Sequence, residues 1–159
     1  MAKIGILGPS KLSKGKRDLE NIKKIAKIIA NKKEEIIISP DKKSTAEFFA
    51  IEYKKNKGQK IIGIDYKDDR DNKYKGLNRK ICDKLINVKT WENQPKELIK
   101  KADKIISLGL SIGVLWEICL TKFYNHNIKI LIIKELNKDK LPRIMEKELN
   151  IKYTSINKL

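Results

Sequence analysis

The chain is poor in the residues that build metal centres: among 159 residues there are two cysteines, Cys82 and Cys119, and a single histidine, His126. The cysteines lack Cys-x-x-Cys spacing and with one histidine form no recognisable ligand set, so no metal site is expected. Cys119 is expected to pack in the core and His126 to sit exposed in a polar turn. Arginine is also scarce. Only Arg17, Arg70, Arg79 and Arg143 offer the bidentate fork favoured at phosphates and bases, and the remaining cations are lysines. Long apolar runs are missing too. None approaches the ~20 residues of a membrane span, and the N-terminus enters a strand without the apolar stretch of a signal peptide. A cytoplasmic protein without membrane contact is expected.

What is present fits a single domain over residues 1–159, since 18.4 kDa with 40% hydrophobic residues supports a proper core. No internal repeat or domain linker interrupts it. A net charge of +17 and a pI near 9.8 raise a polyanion as partner. The lysines are scattered along every expected helix, however, so a basic RNA-binding role stands as an alternative reading only.

Taken in order, Lys3–Leu7 reads as a buried strand ended by Gly8-Pro9-Ser10, and Arg17–Asn31 as a helix with Leu19, Ile22, Ile25, Ala26 and Ile29 inward. Glu35–Ile38 is a second strand broken by Ser39-Pro40-Asp41. Ser44 and Glu47 form a capping-box pair that opens a helix closed by Gly58. Lys60–Ile64 is the third strand, so the first 64 residues spell βαβαβ, half of a doubly wound sheet. Asp65–Asn78 is a charged insertion; Asp65, Asp68, Asp69 and Asp71 lack calcium-loop spacing and read as a solvated loop. Lys84–Val88 is a fourth strand, and Asn93 is expected to cap a short helix with Pro95 in its first turn. After a central strand and helix follow a strand at Ile128–Ile133, a helix at Leu141–Leu149 and an edge strand at Ile151–Ile156.

The central stretch, Ala102–Glu117, reads ADKIISLGLSIGVLWE: a buried strand, a glycine-bearing turn and an apolar helix. Gly109, Ser111 and Gly113 let backbone approach a ligand, with the N–H groups of the helix start aimed at an anion. Glu117 is the only charged residue between Gly109 and Thr121, so its burial would shift its charge state unless a cation pairs with it. The helix is apolar around almost its whole circumference to Tyr124. One side is expected to meet the sheet and the other a second subunit, with Trp116 at that interface or in the core rather than as a base-stacking platform. The fold class expected is a single Rossmann-like α/β domain, its mostly parallel doubly wound sheet of about six or seven strands covered by helices on both faces.

On these residues the chain resembles the lysine-decarboxylase-like Rossmann family, which includes the LONELY GUY phosphoribohydrolases, over roughly residues 3 to 133. IGILGPS resembles that family's first strand and turn, GQKIIGI its GGxVIGI strand, and the central stretch its ADAxIALPGGxGTxxE signature. Gly113 and Glu117 keep that signature. Gly109 stands at the proline, Leu110 and Ser111 replace two glycines, and Val114 replaces the threonine; SPDKKSTAEF stands where a glycine-rich segment is usual. The resemblance implies a nucleotide-binding homodimer, here through the Ile112–Tyr124 helix, that hydrolyses a nucleoside monophosphate to base and ribose 5-phosphate. It implies catalytic roles for Glu117 and Arg79, and phosphate binding by Gly8, Pro9, Ser10, Gly109, Leu110, Ser111, Ile112 and Gly113, with no cofactor needed for the reaction. An anion beside an oxocarbenium-like sugar and a group that activates water suit Glu117. The altered signature favours an alternative: a non-catalytic carrier or sensor of a nucleotide or phosphate-bearing cofactor, such as the molybdenum cofactor that similar proteins carry.

Overall fold

In the computed structural model, which describes residues 1–68 and 76–159, seven strands form one all-parallel sheet. The strands are β1 (Lys3–Leu7), β2 (Glu35–Ile38), β3 (Ile61–Asp68), β4 (Lys84–Thr90), β5 (Lys104–Ser107), β6 (Lys129–Ile133) and β7 (Ile151–Thr154). Between them run α1 (Lys16–Asn31), α2 (Thr45–Lys55), α3 (Asn93–Lys101), α4 (Ile112–Tyr124) and α5 (Arg143–Glu148). Alternate isoleucines leave the sheet in opposite directions. Ile4, Ile6, Ile36 and Ile38 pack with α1 and α2, while Leu7, Ile37, Ile62 and Ile105 pack with α3, α4 and α5. The sheet is therefore covered on both faces, as a parallel sheet requires.

The strand order β4-β3-β2-β1-β5-β6-β7 places the functional end. From β1 the chain winds outward through β2, β3 and β4, then crosses back to lay β5 on the other side of β1. Successive connections on either side of β1 leave in opposite directions, so a crevice opens beyond the carboxyl ends of β1 and β5.

Several local expectations change. Cys119 is exposed, because the helix turns Val114, Ile118 and Thr121 to the sheet and a uniformly apolar helix gives no phase from sequence alone. Glu92, with no side-chain bond, holds the α3 cap position, and Asn93 instead donates to the Thr90 hydroxyl at 3.1 Å. After α2 the left-handed residue is Lys57 (φ 58°) rather than Gly58. The charged run after Ile64 is not all loop: β3 continues through Asp68, while 69–75, including Asp69, Arg70 and Asp71, lie outside the described residues. His126 is exposed, as expected.

Candidate functional site

Three connections meet at the switch point. From β1 come Leu7, Gly8 and Ser10; from β2 come Ser39, Asp41 and the α2 cap Ser44; from β5 comes the turn that leads through Ser111 into α4. They enclose an inner compartment of about 320 Å³ floored by Ile6, Leu7 and Val114. An outer compartment of about 520 Å³ adds Lys11, Lys42, Tyr66, Trp91, Gln94, Pro95 and Trp116. Ser10, Ser39, Asp41, Ile112, Gly113 and Glu117 border both, so the two are one cleft with a waist.

Each wall has a local cause. Gly109 adopts φ 128°, a conformation that an L side chain rarely takes, and a Cβ there would lie 3.2 Å from the Pro9 ring. The turn is completed by the Ser107 hydroxyl, which donates to the Gly109 carbonyl at 3.0 Å. Ser111 then caps α4, its Oγ accepting from the Val114 N–H at 3.3 Å, which leaves the N–H groups of Ile112 and Gly113 without an intrahelical acceptor. Gly8 lets the β1 turn close on α2: a Cβ there would meet Thr45 Cβ at 2.8 Å, and the Thr45 N–H donates to the Pro9 carbonyl at 3.1 Å. Ser44 caps α2, accepting from the Glu47 N–H at 3.1 Å; the Glu47 carboxylate accepts from the Lys43 N–H at 2.6 Å rather than closing a reciprocal box. Asp41 is held by backbone pairing with 76–78, where the Lys42 N–H donates to Gly76 O at 3.0 Å and the Asn78 N–H to Pro40 O at 2.8 Å.

Two carboxyl groups border the waist. Glu117, half-buried among these residues, is pushed up to about 8, first by burial and then by the neighbouring charge of Asp41. Asp41 is pushed up to about 6, first by burial and then by Glu47. At neutral pH Glu117 is therefore mostly a neutral acid able to donate a hydrogen bond, beside a mostly ionised Asp41. Above them, the Trp91 and Trp116 rings stand 6.2 Å apart at 58°. Lys11 and Lys42 supply positive charge.

Of the residues singled out in sequence, Gly8, Ser10, Ser111, Ile112, Gly113 and Glu117 come together on the cleft wall. Pro9, Gly109 and Leu110 act from behind it; Leu110 packs into the core on the α4 face. Arg79 is not brought in. Its guanidinium grips Asp65, Nε donating at 2.9 and 3.0 Å and Nη2 at 2.7 Å, and it borders neither compartment. Asp41, Trp91 and Trp116 were not assigned to the site from sequence. The rule that pointed to Ser10, a position just past the carboxyl end of a parallel strand, applies equally to Asp41 after β2 and Trp91 after β4. Among the described residues no group of three or more His, Cys, Asp or Glu could hold a metal, and no helix is long and apolar enough to cross a membrane.

An all-parallel sheet with its order reversing beside β1 and helices on both faces defines a Rossmann-like domain. Within that class the chain belongs to the SLOG cluster4 family, a group of LOG-like Rossmann type whose sequence profile matches residues 1–158. Among solved structures, the molybdenum cofactor binding protein of Rippkaea orientalis is similar at TM-score 0.74 and 19% identity, over 98% of this chain and 91% of that one. The Moco carrier protein of Chlamydomonas reinhardtii is similar at TM-score 0.76 and 13% identity, over 98% and 91%. DNA processing protein A of Helicobacter pylori, described with a single-stranded DNA binding mode, is similar at TM-score 0.66 and 11% identity, over 99% and 77%. No curated protein sequence matches the chain.

Proposed function

We propose that the switch-point cleft binds a phosphate-bearing heterocyclic ligand and that the chain is a carrier or sensor of it, with the molybdenum cofactor as first candidate. The observation that carries this reading is the pairing of two unlike compartments on one waist. Capped helix starts and serine hydroxyls offer donors to a phosphate, while Trp91 and Trp116 offer faces to a planar ring. The donor set fits the organic part of that cofactor, a pterin bearing a phosphate. No cysteine or histidine lines either compartment, so the residues present would hold ring and phosphate, not the metal. The carrier proteins among the similar structures support the same ligand class.

A second reading, hydrolysis of nucleoside monophosphates, is favoured by one feature. A protonated Glu117 on the waist is suited to protonate a leaving base or, once ionised, to stabilise a cationic sugar. Arg79, held by Asp65, is not poised to assist. In either case we read the chain as a cytoplasmic homodimer through Ile112–Tyr124, whose outward side carries Ile112 at 83%, Trp116 at 39% and Phe123 at 79% exposure.

The test is loading. Molybdenum cofactor released from a donor enzyme is passed with the protein through gel filtration, and the pterin is measured by fluorescence after oxidation. Co-elution is expected for the wild type and its loss in Gly113→Val, because the space a Gly113 Cβ would enter is open, its nearest neighbour being Ser111 Oγ at 3.8 Å. Failure of the wild type to retain pterin defeats the carrier reading. Release of free base from nucleoside monophosphates, abolished in Glu117→Ala, would establish the hydrolase instead.

A further inference from the structure

Asp41 has no part in the family signature; its backbone pairs with Leu77 and its carbonyl accepts from the Ser44 N–H at 3.2 Å, and it borders both compartments, as Glu117 does. It sits on the β2–α2 connection and Glu117 on α4, so the two acids approach the waist from different elements on either side of β1. Two carboxylates bordering one cleft cannot both ionise without cost, because each raises the energy of the other's charged form. The same waist is bordered by Ile112 and Gly113, whose N–H groups lie at the α4 start where an anion is favoured. A phosphate there stands next to the acid pair and would meet a double negative charge if both were ionised.

We propose that Asp41 is a second ligand-facing acid, that it and Glu117 together retain one exchangeable proton, and that the cleft takes up a phosphate monoester together with that proton. This rests on the binding reading above and deepens it: the site selects an oxyanion able to accept a hydrogen bond from a carboxylic acid, and its affinity is linked to pH. Among the described residues the other charged or titratable groups bordering the cleft are Lys11 from the β1 connection, Lys42 beside Asp41, and Tyr66 from β3, with Glu47 of α2 acting on Asp41. Burial and Asp41, the two influences on Glu117, act in the same direction. By linkage, a ligand that prefers the protonated pair binds less tightly once the pH passes the point at which the free pair gives up its proton.

Two measurements test this on the full chain. In the ligand-free protein, side-chain carboxyl carbon resonances of Asp41 and Glu117, assigned with Asp41→Asn and Glu117→Gln, are followed against pH. Glu117 is expected to titrate near 8 and to move lower in Asp41→Asn. A Glu117 midpoint in the ordinary carboxyl range, or one indifferent to Asp41→Asn, overturns the shared proton. Next, adenosine 5′-monophosphate serves as probe between about pH 7 and pH 10, where its phosphate, with a second pKa of about 6, no longer titrates. Its dissociation constant is expected to rise up to about tenfold per pH unit above about pH 8 in the wild type and to stay level in Glu117→Gln. Saturable but pH-independent binding in the wild type overturns the proton coupling while leaving the binding reading intact. No binding at any pH removes this ligand class from the cleft, and the proton-coupled uptake falls with it.

Discussion

At the scale of single residues, Glu117 carries the clearest thermodynamic consequence. Its pKa in the fold, about 8, lies above the 4.5 of a free glutamate, so between those values the native state binds more protons than the unfolded chain. Stability therefore falls as pH rises from about 4.5 to about 8, and the loss is complete above that window. Glu117→Gln removes the titration and is expected to melt higher than the wild type at about pH 9 and together with it at about pH 4. Thermal unfolding of both proteins across that range checks this; equal melting points throughout would show that Glu117 ionises freely in the fold. The sequence marked Glu117 because a lone acid in an apolar helix must be explained. It could not mark Asp41 in the same way, since an acid after Ser39-Pro40 reads equally well as turn chemistry.

At the scale of elements, α4 decides both the site and the surface. Val114, Ile118 and Thr121 turn inward, and the opposite side presents Ile112, Trp116, Cys119 and Phe123 at spacings of four, three and four. That spacing makes one apolar stripe along the helix, the pattern that lets two helices pack together. If the stripe pairs two copies, Phe123→Asp is expected to convert a dimer to a monomer in sedimentation equilibrium while leaving the far-ultraviolet circular dichroism unchanged. A monomeric wild type would contradict the pairing. The identity of α4 as a helix was legible, as were the other helices and nearly every strand, because Lys/Ile periodicity separates 3.6-residue faces from short apolar runs. Its rotational phase was not, since apolar residues all around α4 leave no preferred side.

At the scale of the whole molecule, strand order was also hidden, and for a related reason. A parallel strand buried on both faces reads as an uninterrupted isoleucine run, as in β2 (EIII) and β6 (KILII), and such runs do not specify their neighbours. The structure supplies what the runs withhold, a single reversal beside β1, and that reversal is what brings Ser10, Asp41 and Glu117 into one cleft. The positive charge is a property of the whole surface: Lys and Arg number 37 against 20 acids, and among the described residues two lysines, Lys11 and Lys42, border the cleft. It draws anions toward the molecule without selecting among them.

The chain has only two tryptophans, Trp91 and Trp116, and both line the outer compartment, so their emission responds to the cleft, Trp116 standing also on the outward stripe of α4. The measurement is a fluorescence titration with adenosine 5′-monophosphate and with molybdenum cofactor, in wild type and Gly113→Val, at low and high salt. A saturable change in the wild type that persists in salt and is lost in Gly113→Val is expected of a site built at the switch point. An unchanged emission, or a change that Gly113→Val leaves intact and salt abolishes, would contradict it and assign the binding to the lysine surface.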